Sequence, residues 1–121
     1  MKISEFAKRT GLSIDTLRYY EKLGLLEPKR DAGGRRVYSE TDAAWMEFVG
    51  RLKRIGMPLS EIQAYARLRR AGDSTLEERM HMLEVQKVRL QNNICELREQ
   101  LAALDDKIGF DRNAMDEAGQ T

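Results

Sequence analysis

The sequence predicts an all-α protein with a small β wing, a winged helix-turn-helix followed by one long helix. Three observations carry that prediction. Ala7, Gly11 and Leu17 stand at the spacing of two short helices crossing over a tight turn. A glycine-rich basic segment, Asp31-Ala32-Gly33-Gly34-Arg35-Arg36-Val37-Tyr38, reads as a two-stranded hairpin. From Leu76 to Ile108 apolar residues recur in alternating steps of four and three.

Each element can be justified in turn. Ser4 is a candidate cap for the first helix, with Phe6, Ala7 and Thr10 inward. Gly11 ends it, because the turn needs a positive φ. Ser13 caps the second helix, and Asp15 in the first turn suits the helix dipole. Leu17, Tyr20 and Leu23 form its buried stripe, Gly24 stops it, and Pro28 marks the exit into the wing. Ser39 with Asp42 makes a near-capping box for a third helix, whose apolar side is Trp45, Phe48, Val49, Leu52 and Ile55. Gly56-Met57-Pro58 breaks it. A short fourth helix follows with Ile62, Tyr65, Ala66 and Leu68 inward, then a polar connector from Arg69 to Asp73 with Gly72 as its flexible point. Ser74 and Thr75 are candidate caps for the long helix. Three segments result: 1–73 with the helix-turn-helix and wing, 74–108 as the long helix, and 109–121 as a flexible tail.

The long helix carries Leu76, Met80, Leu83, Lys87, Leu90, Ile94, Leu97, Leu101, Leu104 and Ile108 on one seam. Only Lys87 among them is polar. The seam spans roughly 48 Å at about 1.5 Å per residue. So long an apolar stripe must pair, and a second copy is the simplest partner. A homodimer through a coiled coil is expected, with Leu76, Met80, Leu83, Leu90, Ile94, Leu97, Leu101 and Leu104 in the interface. Lys87 sets register at some cost in stability. The seam alone leaves strand polarity open.

Composition narrows the class. The net charge is +1, yet residues 1–75 hold 15 Lys and Arg against 10 Asp and Glu, while residues 76–121 hold 6 against 10. The basic half is the half with the helix-turn-helix, and local positive charge is what a nucleic-acid face needs. One cysteine and one histidine leave no internal disulfide, no multi-cysteine zinc site and no Ser-His-Asp group. There is no glycine-rich phosphate loop, so neither an enzyme nor a bound cofactor or metal is expected. No apolar run has membrane-spanning length and the N-terminus does not read as a signal peptide, which points to the cytoplasm.

A reading helix followed by a cationic wing is a device for holding double-stranded DNA. Arg18 and Tyr19 fall on the outer face of the second helix and Tyr20 at its edge. Arg18 can fork onto a phosphate or a guanine edge, and tyrosine hydroxyls can donate to phosphates. The alternative for Tyr20 is core packing. Ser13 and Thr16 stand at the helix N-terminus, where base edges are met, although Ser13 is also the cap. In an extended wing Arg35 and Arg36 point to opposite faces. Tyr38 either bonds a phosphate or packs under the wing. Lys53 and Arg54 can add backbone contacts.

Cys95 lies off the main seam. It repeats at seven-residue spacing with His81, Val88 and Ala102, beside Met82 and Val85. That weaker stripe is expected to dock the long helix against the third and fourth helices of one subunit or the other. A thiol-sensing role is the sharper alternative, but Glu96 and Glu99 flank Cys95 along with Arg98, so its surroundings are not electropositive.

On ISEFAKRTGLSIDTLRYYEKLGLLEP, GGRRVY and GMPLSEI the chain resembles the MerR family of bacterial transcription regulators over residues 1 to about 108. The resemblance implies a winged helix-turn-helix dimer held by an antiparallel coiled coil. It implies binding to a two-fold symmetric promoter site with an over-long spacer, which the dimer bends and untwists so that RNA polymerase can engage. DNA contact is implied for Arg18, Tyr19, Tyr20, Arg36 and Tyr38, with Arg35 beside them. Metal-sensing members carry a cysteine pair late in the coil; this sequence has none there. The iron–sulfur type needs four cysteines. Drug-binding members carry a large C-terminal domain, where only residues 109–121 follow the coil here. GMPLSEI and GDSTLEER are similar to the thiol- and aldehyde-responsive subgroup, but that subgroup's cysteine position holds Leu52. The small-molecule effector is therefore unidentified. An architectural DNA-bending protein of the excisionase kind is the competing reading, and a coiled-coil adaptor with a vestigial helix-turn-helix is a third. The long heptad helix opposes the former, and retained Arg18, Tyr19, Arg35 and Arg36 oppose the latter.

Overall fold

The computed structural model describes residues 1–119. The elements are α1 (Ile3–Thr10), α2 (Ile14–Lys22), β1 (Lys29–Arg30), β2 (Arg36–Val37), α3 (Glu40–Arg54), α4 (Leu59–Ala71), a 3₁₀ turn (Asp73–Thr75) and α5 (Leu76–Gly119). The chain divides into two compact units, Met1–Met82 and the part from Leu83 onward.

Within the first unit, local chemistry sets the helix ends. Gly11 closes α1 at φ 72°, and its N–H donates to the Ala7 carbonyl. The Ser13 hydroxyl accepts from the Thr16 N–H to cap α2, and Gly24 turns the chain away at φ 79°. Ser39 and Asp42 complete a reciprocal capping box on α3. Ser4 is not the cap of α1. The helix starts at Ile3, and Lys2, extended and without a side-chain cap, precedes it. The Lys2 carbonyl already accepts from Phe6, so the first turn closes upstream of Ser4.

Four helices and the root of the wing enclose the core. Phe6 from α1, Leu17 from α2, and Val49 and Ile62 from α3 and α4 are fully buried. Each contributes about 1.5–3 kcal/mol by leaving water. Trp45 anchors the next layer: its indole N–H donates to the Leu25 carbonyl at 2.6 Å, which fixes the turn after α2 against α3. Tyr38 stacks on Phe6 with centroids 4.5 Å apart. The backbone around Tyr38 pairs with the N-terminus, the Tyr38 N–H donating to the Met1 carbonyl at 2.8 Å.

The wing is an antiparallel pair with Lys29 opposite Val37 and Arg30 opposite Arg36. Its first strand lies upstream of the expected segment, because Asp31 belongs to the turn. The Asp31 carboxylate accepts from the N–H groups of Gly33 and Arg35, and Gly34 adopts φ 78°. Arg35 is thereby in the turn and not on a strand.

Two more expectations need correction. Arg69 to Ala71 are helical, so the connector shrinks to Gly72 and the 3₁₀ turn. There the Thr75 hydroxyl donates back to the Leu68 carbonyl at 2.6 Å and accepts from Arg79 at 3.0 Å. The flexible tail over residues 109–121 is not what forms: α5 continues as one helix to Gly119. The rest of that segment, residues 120 and 121, lies outside the described residues. One glycine in a helix costs about 1 kcal/mol relative to alanine. Around Gly109 the Lys107–Asp111 pair at 2.7 Å and Lys107 over the Phe110 ring at 5.1 Å bridge the weak point.

The second unit is helix α5 alone among the described residues. Its seam is open to solvent: Leu97, Leu101 and Leu104 are 68%, 59% and 58% exposed. Cys95 is exposed as well. No described helix is long and apolar enough to cross a membrane.

Candidate nucleic-acid interface

Helix α2 and the wing face each other across a groove of about 810 Å³, lined by Lys2, Arg18, Lys22, Arg30, Arg35 and Arg36 with Glu21 and Tyr38. Six cations and one carboxylate make it a concave positive surface.

Each wall has a local cause. Arg18 and Lys22 are one turn apart on α2, so they share a face. Register places Arg30 beside Arg36, and their side chains leave the same face of the ribbon. The Arg30 guanidinium donates to the Gly34 carbonyl at 2.7 Å and braces the turn that presents Arg35. Lys2 arrives because the N-terminal residue pairs with Tyr38.

The anticipated contact residues divide. Arg18, Tyr19, Arg35 and Arg36 are exposed, Tyr19 by 53%. Ser13 and Thr16 hold each other, the Ser13 hydroxyl donating to the Thr16 hydroxyl at 2.8 Å, so Ser13 acts first as a cap. The Tyr20 ring is buried and its hydroxyl accepts from the Lys53 ammonium at 2.8 Å, while the same ammonium sits 4.8 Å from the ring centroid. Tyr38 is 1% exposed and its hydroxyl is buried with no hydrogen-bond partner. Of the two readings for Tyr38, packing under the wing is the one that forms, because stacking on Phe6 draws the ring inward.

Electrostatics follow from this placement. The Arg36 guanidinium donates to the Glu21 carboxylate at 2.7 Å. The hydrogen bond to Glu21, and then its charge, hold the Arg36 pKa above the ordinary arginine value. Burial pushes the Tyr38 phenol above its ordinary value, Glu21 acts in the same direction, and Arg36 and Arg18 oppose them.

Lys2, Lys22 and Arg30 were missed from the sequence. The i, i+4 relation of Lys22 to Arg18 was a usable signal. Arg30 needed the hairpin register, and Lys2 needed the pairing of the N-terminus with Tyr38. Among the described residues no group of three or more His, Cys, Asp and Glu gathers as a metal site.

Residues 1–68 match the MerR helix-turn-helix family of regulatory proteins, and residues 43–107 match the MerR DNA-binding region. The chain belongs to the MerR family. It is a DNA-binding transcriptional regulator by that membership. A helix-turn-helix transcriptional regulator of Haemophilus influenzae is 37% identical over 109 residues, 89% of this chain and 81% of the relative. The regulator AdhR of Bacillus subtilis is 40% identical over 91 residues, 74% of this chain and 65% of the relative. Among solved structures, a MerR family regulator from Listeria monocytogenes superposes with a TM-score of 0.80 at 37% identity, covering 89% of this chain and 83% of that one. HiNmlR, a MerR family regulator lacking the sensor domain and bound to promoter DNA, superposes with a TM-score of 0.78 at 35% identity, covering 93% and 90%. The similarity of this MerR protein to such regulators thus extends past the winged unit into α5.

Proposed function

We propose that this MerR protein acts in the cytoplasm as a homodimer on a two-fold symmetric promoter site, distorts the spacer and thereby controls RNA polymerase. The observation that carries the reading is the pairing, in one short chain, of a positive groove between α2 and the wing with an exposed apolar seam along α5. The groove supplies phosphate contacts, and a paired seam would hold two such grooves at a fixed separation. Half-site spacing then becomes a property of the protein. Distorting the intervening DNA costs a few kcal/mol, about 1–6 for a smooth bend, which contacts from both heads can offset.

In this reading Arg18 and Tyr19 meet the major groove edge and its phosphates, Arg35 and Arg36 clamp the flanking backbone, and Ser13 and Thr16 present the α2 N-terminus. Tyr20 and Tyr38 brace the contact surface from below. Leu76, Met80, Leu83, Leu90, Ile94, Leu97, Leu101 and Leu104 form the dimer seam. The relatives that carry names are transcriptional regulators, which favours a regulator without enzymatic chemistry. Sequencing genomic fragments retained by the purified protein tests the proposal. A symmetric site inside a long promoter spacer is expected. Recovery of recombination sites, or of no enriched sequence, overturns it.

A further inference from the structure

We propose that Gln63 and Arg70 of α4 are positioning residues for DNA binding: they hold the carbonyls of the turn between α2 and β1, and so fix the wing cations relative to α2. The proposal rests on the reading that Arg35 and Arg36 clamp DNA, and it names what keeps them in place.

The wing cannot set its own placement. Its two strands have two residues each, and residues 29–37 are all exposed. A ribbon that short is marginal by itself, so its direction is set where it joins the helices. One root is Tyr38, stacked on Phe6. The other is the turn over residues 23–28. There the N–H groups of Leu23, Gly24 and Leu25 donate to the carbonyls of Tyr19, Glu21 and Tyr20. The carbonyls of the same three residues point away from that backbone ladder and need other partners.

Each of the three is held by a side chain from α3 or α4. The Gln63 amide donates to the Leu23 carbonyl at 3.0 Å, Arg70 Nη1 to the Gly24 carbonyl at 2.6 Å, and the Trp45 indole to the Leu25 carbonyl at 2.6 Å. Arg70 Nε also meets the Glu27 carboxylate at 3.2 Å. One guanidinium thus spans the turn from Gly24 to Glu27, directly before Pro28 and β1. Gln63 and Arg70 are seven residues apart, about two turns, so they share a face of α4. Burial of Leu25 and Leu26 fixes how deep the turn sits. The bonds to three successive carbonyls fix which way its peptide planes face, and therefore the direction in which the chain leaves for the wing. Arg70 does not line the positive groove. It borders a separate open space of about 500 Å³ beside the turn, with Glu21, Glu27, Pro28 and Arg30. A lysine cannot reproduce the contact, because an ammonium is a point charge without the planar fork.

Two variants of the full chain separate placement from charge. Arg70→Lys keeps the charge and loses the fork. Glu27→Ala removes a negative charge, which by electrostatics alone would tighten DNA binding. Affinity is measured for a mixed-sequence duplex and for a duplex bearing a site recovered from retained genomic fragments, beside melting of each protein. Both variants should bind either duplex severalfold more weakly while remaining folded. The same two changes are then made in an Arg35→Ala, Arg36→Ala background. There each should alter affinity by less than about twofold, since there are no wing cations left to place. Unchanged or tighter binding by Glu27→Ala, or by Arg70→Lys, overturns the proposal. So do losses that persist in the Arg35→Ala, Arg36→Ala background, which would mean a direct DNA contact or a general weakening of the fold. If Arg35→Ala, Arg36→Ala binds as tightly as the unaltered chain, the wing clamp itself fails, and this proposal with it.

Discussion

The Arg36 guanidinium of the wing donates to the Glu21 carboxylate of α2 across 2.7 Å. A carboxylate therefore stands inside a surface otherwise lined by cations, and it holds one of them. Exposed pairs of this kind contribute about 0–1 kcal/mol to stability. A phosphate must compete with Glu21 for Arg36. Glu21→Gln should leave the melting temperature nearly unchanged and tighten DNA binding several-fold. The salt dependence should steepen by about one phosphate contact, near 0.9 in log–log slope. Titrations of one DNA duplex at several salt concentrations check this. Weaker binding with an unchanged slope would mean that Glu21 positions the wing instead.

The buried Tyr38 hydroxyl has no partner, although Arg18, Glu21 and Arg36 all act on it. An unsatisfied buried hydroxyl costs about 1–3 kcal/mol. Tyr38→Phe should be neutral or stabilising by about 1 kcal/mol, and DNA affinity should stay within about twofold. The pH behaviour has a definite sign. The folded-state pKa lies above the ordinary value of 10.0, so the native state holds its proton longer than the unfolded chain. That contribution to stability is complete below pH 10 and declines as pH rises above it. In thermal melts of both proteins from pH 8 to 11, the gap between them should stay constant below pH 10 and widen above it. A large loss of DNA binding in Tyr38→Phe would place the hydroxyl on a phosphate.

Much of this layout was legible because local chemistry repeats in local structure. Gly11, Ser13, Gly24 and the Ser39–Asp42 box mark ends where backbone groups need a partner or a left-handed turn, and the helices stop or start there. The seam was legible because its period is the period of a helix. The misses share another cause. Lys2 joined the groove through the pairing of the N-terminus with Tyr38, whose two open places were settled toward the one under the wing by stacking on Phe6. Arg30 took its place from hairpin register, which two short strands barely specify in sequence. The stretch from residue 109 reads as a tail, but the i, i+4 contact between Lys107 and Asp111 spans Gly109.

The capping box on α3 carries a prediction about stability that is independent of DNA. The Ser39 hydroxyl accepts from the Asp42 N–H at 3.1 Å, and the Asp42 carboxylate accepts from the Ser39 N–H at 3.0 Å. Ser39→Ala should cost about 1 kcal/mol. Asp42→Asn should cost less, since an amide oxygen can still accept. Urea denaturation of both variants orders them. Equal losses would show that the carboxylate charge at the helix N-terminus matters as much as the Ser39 hydrogen bond.

Lys87 is the one polar side chain on the seam of α5, and it is exposed in the single chain. In a paired seam its ammonium lies beside apolar neighbours and must reach around them to water. Lysine at such a position specifies register and costs stability. Lys87→Leu should therefore tighten the dimer about tenfold, or about 1.4 kcal/mol, and raise its melting temperature. The gain carries a penalty in uniqueness, because a fully apolar seam accepts heptad-shifted registers. Those shifts would alter the distance between the two reading heads. Binding to a symmetric duplex should lose discrimination between half-site spacings even as the dimer becomes more stable. Sedimentation equilibrium reads the first effect, and competition among duplexes of different spacing reads the second. An unchanged dissociation constant would remove Lys87 from the seam, and tighter binding with spacing discrimination intact would assign register to the apolar side chains instead.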